Sequence, residues 1–91
     1  MKIRIRIKAI GNLETGNKKE GGTWAARSMV LEEDGQLYPD RFAVRLTGDA
    51  AEKLQWKEGD YALATLSFTT REYNGRHLQD VYLKNLESDN L

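Results

Sequence analysis

The stretch Arg71-Glu72-Tyr73-Asn74-Gly75-Arg76 decides the fold that this sequence predicts. An Asn-Gly pair between two alternating segments is the strongest local signal for a β-hairpin, because a type I′ turn needs a positive φ at both central residues. We therefore predict a long strand that ends at Glu72, a tight turn at Asn74 and Gly75, and a last strand that begins at Arg76.

The segments on both sides of this turn alternate between apolar and polar residues, which is the period of a half-buried strand. The predicted strands are residues 61–72 and 76–86. The side chains predicted to face the core are Ala62, Ala64, Leu66, Phe68, Val81 and Leu83.

The N-terminal segment, residues 2–10, alternates between isoleucines and cations and is also predicted to be a strand. Its apolar positions are Ile3, Ile5 and Ile7, and its cations are Lys2, Arg4, Arg6 and Lys8. The cations have two interpretations. They form either a solvated outer face or an edge protected against aggregation, or they form a basic stripe that binds a phosphate backbone.

Between the first strand and the hairpin, residues 11–22 are polar and glycine-rich and are expected to be a mobile loop. Residues 23–32 are predicted to form strand two, with Ala25, Met29 and Leu31 on one face. A turn at Glu33-Asp34-Gly35 follows. Strand three then presents Phe42, Val44 and Leu46 to the core and Arg41, Ala43 and Arg45 to the other side.

One stretch, residues 49–56, favours a helix. Gly48 or Asp49 is expected to cap it, and Glu52 lies three residues after Asp49, as in a capping box. Trp56 at its end is predicted to be a core residue. Gly59 is placed for a left-handed cap that ends the helix.

The order of elements predicts an all-β domain, a five-stranded OB-fold barrel with one short helix between strands 3 and 4. An SH3-like barrel is the alternative, and it normally lacks a helix at that place. Closure into a barrel hides the edges that a flat five-stranded sheet would expose. We predict a single domain over residues 1–87 and a short flexible tail over residues 88–91.

The composition limits the functions that the chain can have. Net charge is zero, which counts against a strongly basic nucleic-acid binder. Absence of cysteine excludes disulfides and thiolate metal sites, and the charged N-terminal segment is unlike a signal peptide. Because His77 is the only histidine, a site with several histidines is excluded. We expect a cytoplasmic protein with no membrane contact, no enzyme activity, no cofactor and no metal.

Residues 24–87 resemble a family of short bacterial OB-fold proteins of unknown function, grouped with single-stranded-DNA-binding-like proteins. The matching pieces are Trp24, residues 29–32, Tyr38-Pro39, residues 42–46, Gly48-Asp49, residues 57–60, residues 71–76 and Asp80-Val81. The most specific piece is the run of residues 71–76. The family usually has two aromatic residues directly after this run, where the present chain has His77 and Leu78. The resemblance implies the OB fold and, more weakly, nucleic-acid binding.

Single-strand binding needs cations for phosphates and flat side chains for bases. The candidate nucleic-acid-binding residues are Trp24, Arg27, Arg41, Arg45, Arg71, Tyr73, Arg76, His77, Tyr82 and Lys84. We expect Arg41 and Arg45 to point outward, with Trp24 or Arg27 opposite them. In the structural alternative, Arg71 and Arg76 pair with Glu72 or Asp80 across the hairpin.

The predicted function is therefore a non-catalytic module that binds single-stranded DNA with low sequence specificity; RNA is an alternative ligand. A different hypothesis is a protein-interaction OB module within a larger replication or mobile-element assembly. Its partner would be another protein or a second copy of the chain. Salt-dependent binding of an oligonucleotide would distinguish the two hypotheses.

Overall fold

The computed structural model describes residues 1–88, and residues 89–91 of the predicted flexible tail lie outside the described residues. The described chain is mostly β, as predicted. Its strands are β1 (Lys2–Ile10), β2 (Glu14–Asn17), β3 (Thr23–Glu33), β4 (Arg41–Thr47), β5 (Tyr61–Tyr73) and β6 (Arg76–Glu87), and its helix is α1 (Asp49–Glu52). No helix within residues 1–88 has the length and apolarity to cross a membrane.

One sheet contains the six strands in the order β1-β5-β6-β4-β3-β2, and β1 pairs with β3 in addition. Most neighbours are antiparallel, whereas β4 and β6 are parallel and meet at Arg45 and Tyr82. The strand β1 therefore has a partner on both sides. The prediction that its cations protect a sheet edge is wrong, because Ile5 and Arg6 pair with β3 on one side and with β5 on the other.

The core lies on the face of the sheet that the alternation predicted. Its largest fully buried side chains are Ile5, Ile7, Met29 and Leu31. Val44, Leu46, Ala62, Ala64, Leu66 and Leu83 are also buried in this cluster. Trp56 packs against the cluster while partly buried, in agreement with its predicted place in the core. Phe68 is an exception, because its side chain is 41% exposed.

The predicted loop contains a strand that the sequence analysis missed. Residues 14–17 form β2, which pairs with β3 from Glu14 opposite Ala26 to Asn17 opposite Thr23. The hairpin between them closes through hydrogen bonds between Lys18 and Gly22 and between Gly21 and Lys18, with N···O distances of 3.0 and 3.1 Å. The described chain thus has six strands where the sequence predicted five.

The helix is shorter than predicted, four residues instead of eight. Gly48 is its N-cap, but Asp49 and Glu52 form no capping box, since no side chain hydrogen-bonds at the cap. Beyond Lys53 the chain leaves the helical path, and Leu54 and Trp56 pack against the core instead. Gly59 consequently lies in a separate turn and does not end the helix.

That separate turn positions β5 beside β1. The backbone N–H of Lys57 donates to the Asp60 carboxylate at 2.9 Å, which closes the turn. Ile7 exchanges two backbone hydrogen bonds with the turn, one to the Asp60 carbonyl at 2.8 Å and one from the Gly59 N–H at 2.7 Å. The predicted Asn-Gly hairpin is confirmed between β5 and β6, with φ of 50° at Asn74 and 75° at Gly75.

Candidate nucleic-acid interface

Arg45 lies at the centre of a continuous outward surface. It is paired with Ser28 of β3 on one side and with Tyr82 of β6 on the other. Paired residues point to the same side of a sheet, and side chains alternate along a strand. Since Met29 and Val44 form the adjacent buried pair, Arg45 and Tyr82 point away from the core. We call this surface of β3, β4 and β6 the outer face.

One end of the outer face is an open hollow of about 520 Å³ that we call the Trp24 hollow. Trp24, Lys18 and Arg45 contribute an indole and two cationic side chains to its lining. Asp49 and Glu52 contribute two carboxylates to the same hollow. Within residues 1–88, no salt bridge engages Lys18 or Arg45. The arrangement offers an aromatic surface beside cations that have no acidic partner in the described chain.

Gly16 leaves room for the indole of Trp24 to pack against the backbone of β2. The two residues lie directly opposite each other in the β2–β3 pair. A Cβ atom added to Gly16 would lie 2.5 Å from Nε1 of Trp24, a distance at which something must shift. The indole therefore packs flat against bare backbone, while 40% of Trp24 remains exposed. A base stacked on Trp24 would use the surface that Gly16 does not cover.

The second end of the outer face is formed by the tip of the β5–β6 hairpin. Residues 68–79 are exposed without exception, and we call them the arm. The register pairs Ser67 with Tyr82, Arg71 with Leu78, and Tyr73 with Arg76. Because no irregularity interrupts the pairing along this stretch, these side chains share the side of the hairpin on which Tyr82 lies.

Two of the predicted arginines have acidic partners. Nε of Arg41 donates to Oε2 of Glu32 at 2.9 Å, and Nε of Arg71 lies 3.0 Å from Oδ2 of Asp80. The structural alternative for Arg71 is thus confirmed through Asp80. Among the described residues, no ion pair engages Arg76. Along the outer face and the arm, the candidate cations without an ion pair are therefore Lys18, Arg45 and Arg76.

The cations of β1 are likewise occupied in part. Arg4 lies 3.6 Å from the Asp34 carboxylate, and the guanidinium of Arg6 lies over the Tyr61 ring at 5.9 Å from its centre. Glu32 is the cross-strand neighbour of Arg6. These partners favour the interpretation of a solvated outer surface over that of a free basic stripe.

Three predicted residues do not join the outer face. Arg27 is paired with the buried Leu46, on the side of β3 that carries Met29, so the expectation that it lies opposite Arg41 or Arg45 is wrong. Its Nε atom is buried without a hydrogen-bond partner among the described residues. His77 is paired with Glu72 on the other side of the arm. Lys84 lies at an irregularity of β6, beside a different hollow.

The structure adds four residues that the sequence analysis did not select: Gly16, Lys18, Asp49 and Glu52. The signal for the first two is the Gly21-Gly22 pair, which permits a hairpin that brings a strand opposite Trp24. The two acids were assigned to a helix cap. Within residues 1–88, no group of three or more metal-ligating side chains is arranged to hold an ion.

Comparisons with known proteins give one result. Neither the curated proteins nor the solved structures contain a match to this chain. A model of a protein family, described as a domain of unknown function (DUF3127), matches residues 2–88. This match begins well before Trp24, where the resemblance in the sequence began, and it includes β1 and β2. The chain belongs to the DUF3127 family.

Proposed function

We propose that this protein is an OB-type barrel that binds single-stranded nucleic acid, single-stranded DNA above all, with low sequence specificity and without catalysis. The proposed ligand lies along the outer face, from the Trp24 hollow past Arg45 and Tyr82 to Tyr73 and Arg76 on the arm.

The strand pairings support the barrel. Leaving β2 aside, the neighbours follow as β1-β3-β4-β6-β5 and return to β1. After α1, β5 comes back beside β1, which gives the order β5-β1-β3-β4 of a Greek key. An OB fold is a five-stranded Greek-key barrel whose second and third strands, with their flanking loops, bind oligonucleotides. In this chain those strands correspond to β3 and β4, and the flanking loops to residues 18–22 and the Asn74-Gly75 turn.

A single observation carries the proposal: Arg45 has Trp24 in the same hollow and Tyr82 as its cross-strand neighbour. A single strand exposes phosphates and base faces alternately along its length, so a binder needs cations and rings interleaved on one surface. Arg45 supplies the charge at the point where the two rings flank it. Tyr73 and Arg76, paired on the arm, repeat this combination at the other end.

Low specificity and modest affinity follow from the charges of the described residues. Lys18, Arg45 and Arg76 give about three phosphate contacts, and the logarithm of the affinity then falls with a slope of about 2 against the logarithm of salt concentration. The carboxylates of Asp49 and Glu52 oppose phosphate at the hollow. These acids agree with a chain whose net charge is zero.

The test is a fluorescence-anisotropy titration with a fluorescein-labelled oligothymidylate of about 16 nucleotides, in about 50 and about 200 mM salt. We expect binding that weakens roughly 20-fold between the two salt concentrations. The oligouridylate of the same length compares RNA with DNA. Absence of binding at tens of micromolar protein in low salt would refute the proposal.

Two substitutions separate the contributions of charge and stacking. Arg45→Ala is expected to lower the salt slope by about 0.7, since one phosphate contact is lost. Trp24→Ala is expected to weaken binding about 5- to 150-fold with little change in slope, since stacking contributes about 1–3 kcal/mol per base. The controls are Lys57→Ala, an exposed cation away from the outer face, and Tyr61→Ala, an exposed ring on β5. Equal losses in the controls would contradict the assignment of the interface.

A further inference from the structure

A second hollow lies on the other side of α1, and we call it the Trp56 hollow. It has a volume of about 220 Å³ and lies between the segment that follows α1 and the strands β4 and β6. Asp49 and Glu52 of the helix line the Trp24 hollow, whereas Ala50 of the helix and Lys53, which follows it, line the Trp56 hollow. The helix thus separates two hollows of different chemistry, each lined by one of the two tryptophans of the chain.

The floor of the Trp56 hollow is apolar. Leu46 and Leu83 are buried members of the core, and Leu54 and Trp56 are partly buried against it. A dry cavity of about 150 Å³ lined by such residues is large enough for benzene, so about 220 Å³ has room for one leucine or phenylalanine side chain. Since Trp56 packs into the core, its ring is less available to a stacked base than the more exposed ring of Trp24.

The rim of the Trp56 hollow is cationic. Lys53 and Lys84 are both exposed there, and no residue in the lining is acidic. Among residues 1–88, neither lysine takes part in a salt bridge. The whole chain has as many acidic as basic residues, but the charged residues that line this hollow are both lysines. The hollow therefore complements a ligand that has an apolar centre with a negative charge on either side.

We infer that the Trp56 hollow is a docking site for an acidic peptide segment of a partner protein, which inserts one large apolar side chain between Lys53 and Lys84. The apolar anchor fills the floor formed by Leu46, Leu54 and Leu83. Carboxylates on either side of the anchor meet the two ammonium groups. This site is separate from the outer face, and it gives the protein-interaction hypothesis a defined surface.

The test uses Trp56 as its own reporter. In the Trp24→Phe variant of the full chain, Trp56 is the sole tryptophan. The probe is a synthetic peptide with a central Leu-Phe pair between two Asp-Glu pairs, capped at both ends. We expect a saturable change in Trp56 emission as the peptide is added. A peptide with lysines in place of the acids, and one with serines in place of Leu-Phe, are expected to give no such change.

The matched variants are the double substitution Lys53→Glu and Lys84→Glu against the control Lys57→Glu, all at exposed lysines. Charge reversal at the rim is expected to weaken peptide binding about tenfold or more, because it places like charges together, whereas the control keeps the affinity. Labelled wild-type peptide followed by anisotropy gives the same comparison with both tryptophans intact.

Several results would overturn this inference. One is the absence of any Trp56 response up to about 1 mM peptide, which corresponds to negligible affinity. Equal binding of the lysine peptide, or a Trp56 response to oligothymidylate alone, would assign the hollow to a different ligand. Concentration-dependent self-association that the Lys53→Glu and Lys84→Glu pair abolishes would assign it to a second copy. Oligonucleotide binding by the same protein is measured separately, so failure of either proposal leaves the other intact.

Discussion

The strands β5 and β6 each run through two regions with opposite burial: the arm, and the remainder of the described chain, which we call the body. Leu66 and Phe68 are two residues apart on β5 and point to the same side, yet Leu66 is 2% exposed and Phe68 is 41% exposed. The difference arises at the partner strand. β1 pairs with β5 as far as Lys2 opposite Thr65, and β4 pairs with β6 at Tyr82, which lies opposite Ser67. Beyond these two points the arm pairs with no third strand.

The overall dimensions agree with this contrast. The radius of gyration is 14.5 Å, whereas a compact domain of this length has about 12 Å. A two-stranded hairpin without further packing is only marginally stable. The body therefore determines the stability of the fold, and the side chains of the arm are available for contact with a ligand. Substitutions in the two regions are expected to separate these roles.

The largest expected effect is on the stability of the body. Leu31 is fully buried, and Leu31→Ala is expected to lower the free energy of unfolding by about 2–5 kcal/mol, since it leaves a cavity in the core. Urea denaturation followed by tryptophan fluorescence measures this change. Leu78→Ala on the arm is the matched substitution, and its effect is expected to be within about 1 kcal/mol. Equal losses would mean that the arm is part of the cooperative core.

The next effect concerns binding by the arm. Tyr73→Ala is expected to weaken oligothymidylate binding by about fivefold or more, since a stacking ring is lost. Its free energy of unfolding is expected to stay within about 0.5 kcal/mol of wild type, because Tyr73 is 66% exposed. Anisotropy and urea denaturation of one preparation give both values. A stability loss without a change in affinity would show that Tyr73 only packs over the hairpin.

An effect of similar size is expected from the turn of the arm. Gly75 has φ of 75°, and a Cβ atom there would meet nothing within 4 Å. Gly75→Ala therefore causes no steric clash, and its cost is that of holding an alanine at a positive φ, about 1–2 kcal/mol. We expect faster amide hydrogen exchange confined to the arm, with an unchanged denaturation midpoint. A lower midpoint for the whole domain would contradict the independence of arm and body.

The smallest expected effect comes from removing the two ion pairs, one on the hairpin and one in the body. Asp80→Asn removes the carboxylate that faces Arg71 on the hairpin, and Glu32→Gln removes the one that faces Arg41 in the body. Exposed pairs contribute about 0.2–1 kcal/mol, so each substitution is expected to raise oligonucleotide affinity about 1.4- to 5-fold in low salt. An increase with Asp80→Asn alone would limit the ligand to the arm side of the outer face. Unchanged affinity in both variants would mean that neither arginine lies near phosphate.

Local sequence predicted the elements that carry strong local signals. The strict alternation of residues 2–10 and the Asn74-Gly75 turn both gave the correct strands. Residues 14–17 lack such a signal, since glycine and polar side chains show no alternation, so β2 was missed. The predicted helix was too long. Its last residues include Leu54 and Trp56, and in the structure both pack against the core from the segment that follows the helix.

The candidate interface depended more on register than on local pattern. Arg27 alternates in phase with Ala25 and Met29, so the pattern of its own strand already favoured the core side, and the register pairs it with the buried Leu46. Arg45 is instead paired with the exposed Ser28. The exposure of Phe68 depends on where the pairing of β1 with β5 and of β4 with β6 ends. Gly16 and Lys18 come to Trp24 through a short hairpin. Apart from the orientation of Arg27, these relations do not follow from residue types along a single strand, because each is set by a neighbour distant in sequence.

The most direct test of the proposed interface is an amide chemical-shift map of the labelled protein with unlabelled oligothymidylate in low salt. The proposal predicts shifts that cluster at Trp24, Arg45, Tyr82 and Tyr73, with the amides of Leu54 and Trp56 unchanged. A spectrum that stays unchanged at saturating oligonucleotide, or shifts confined to the Trp56 hollow, would contradict binding on the outer face.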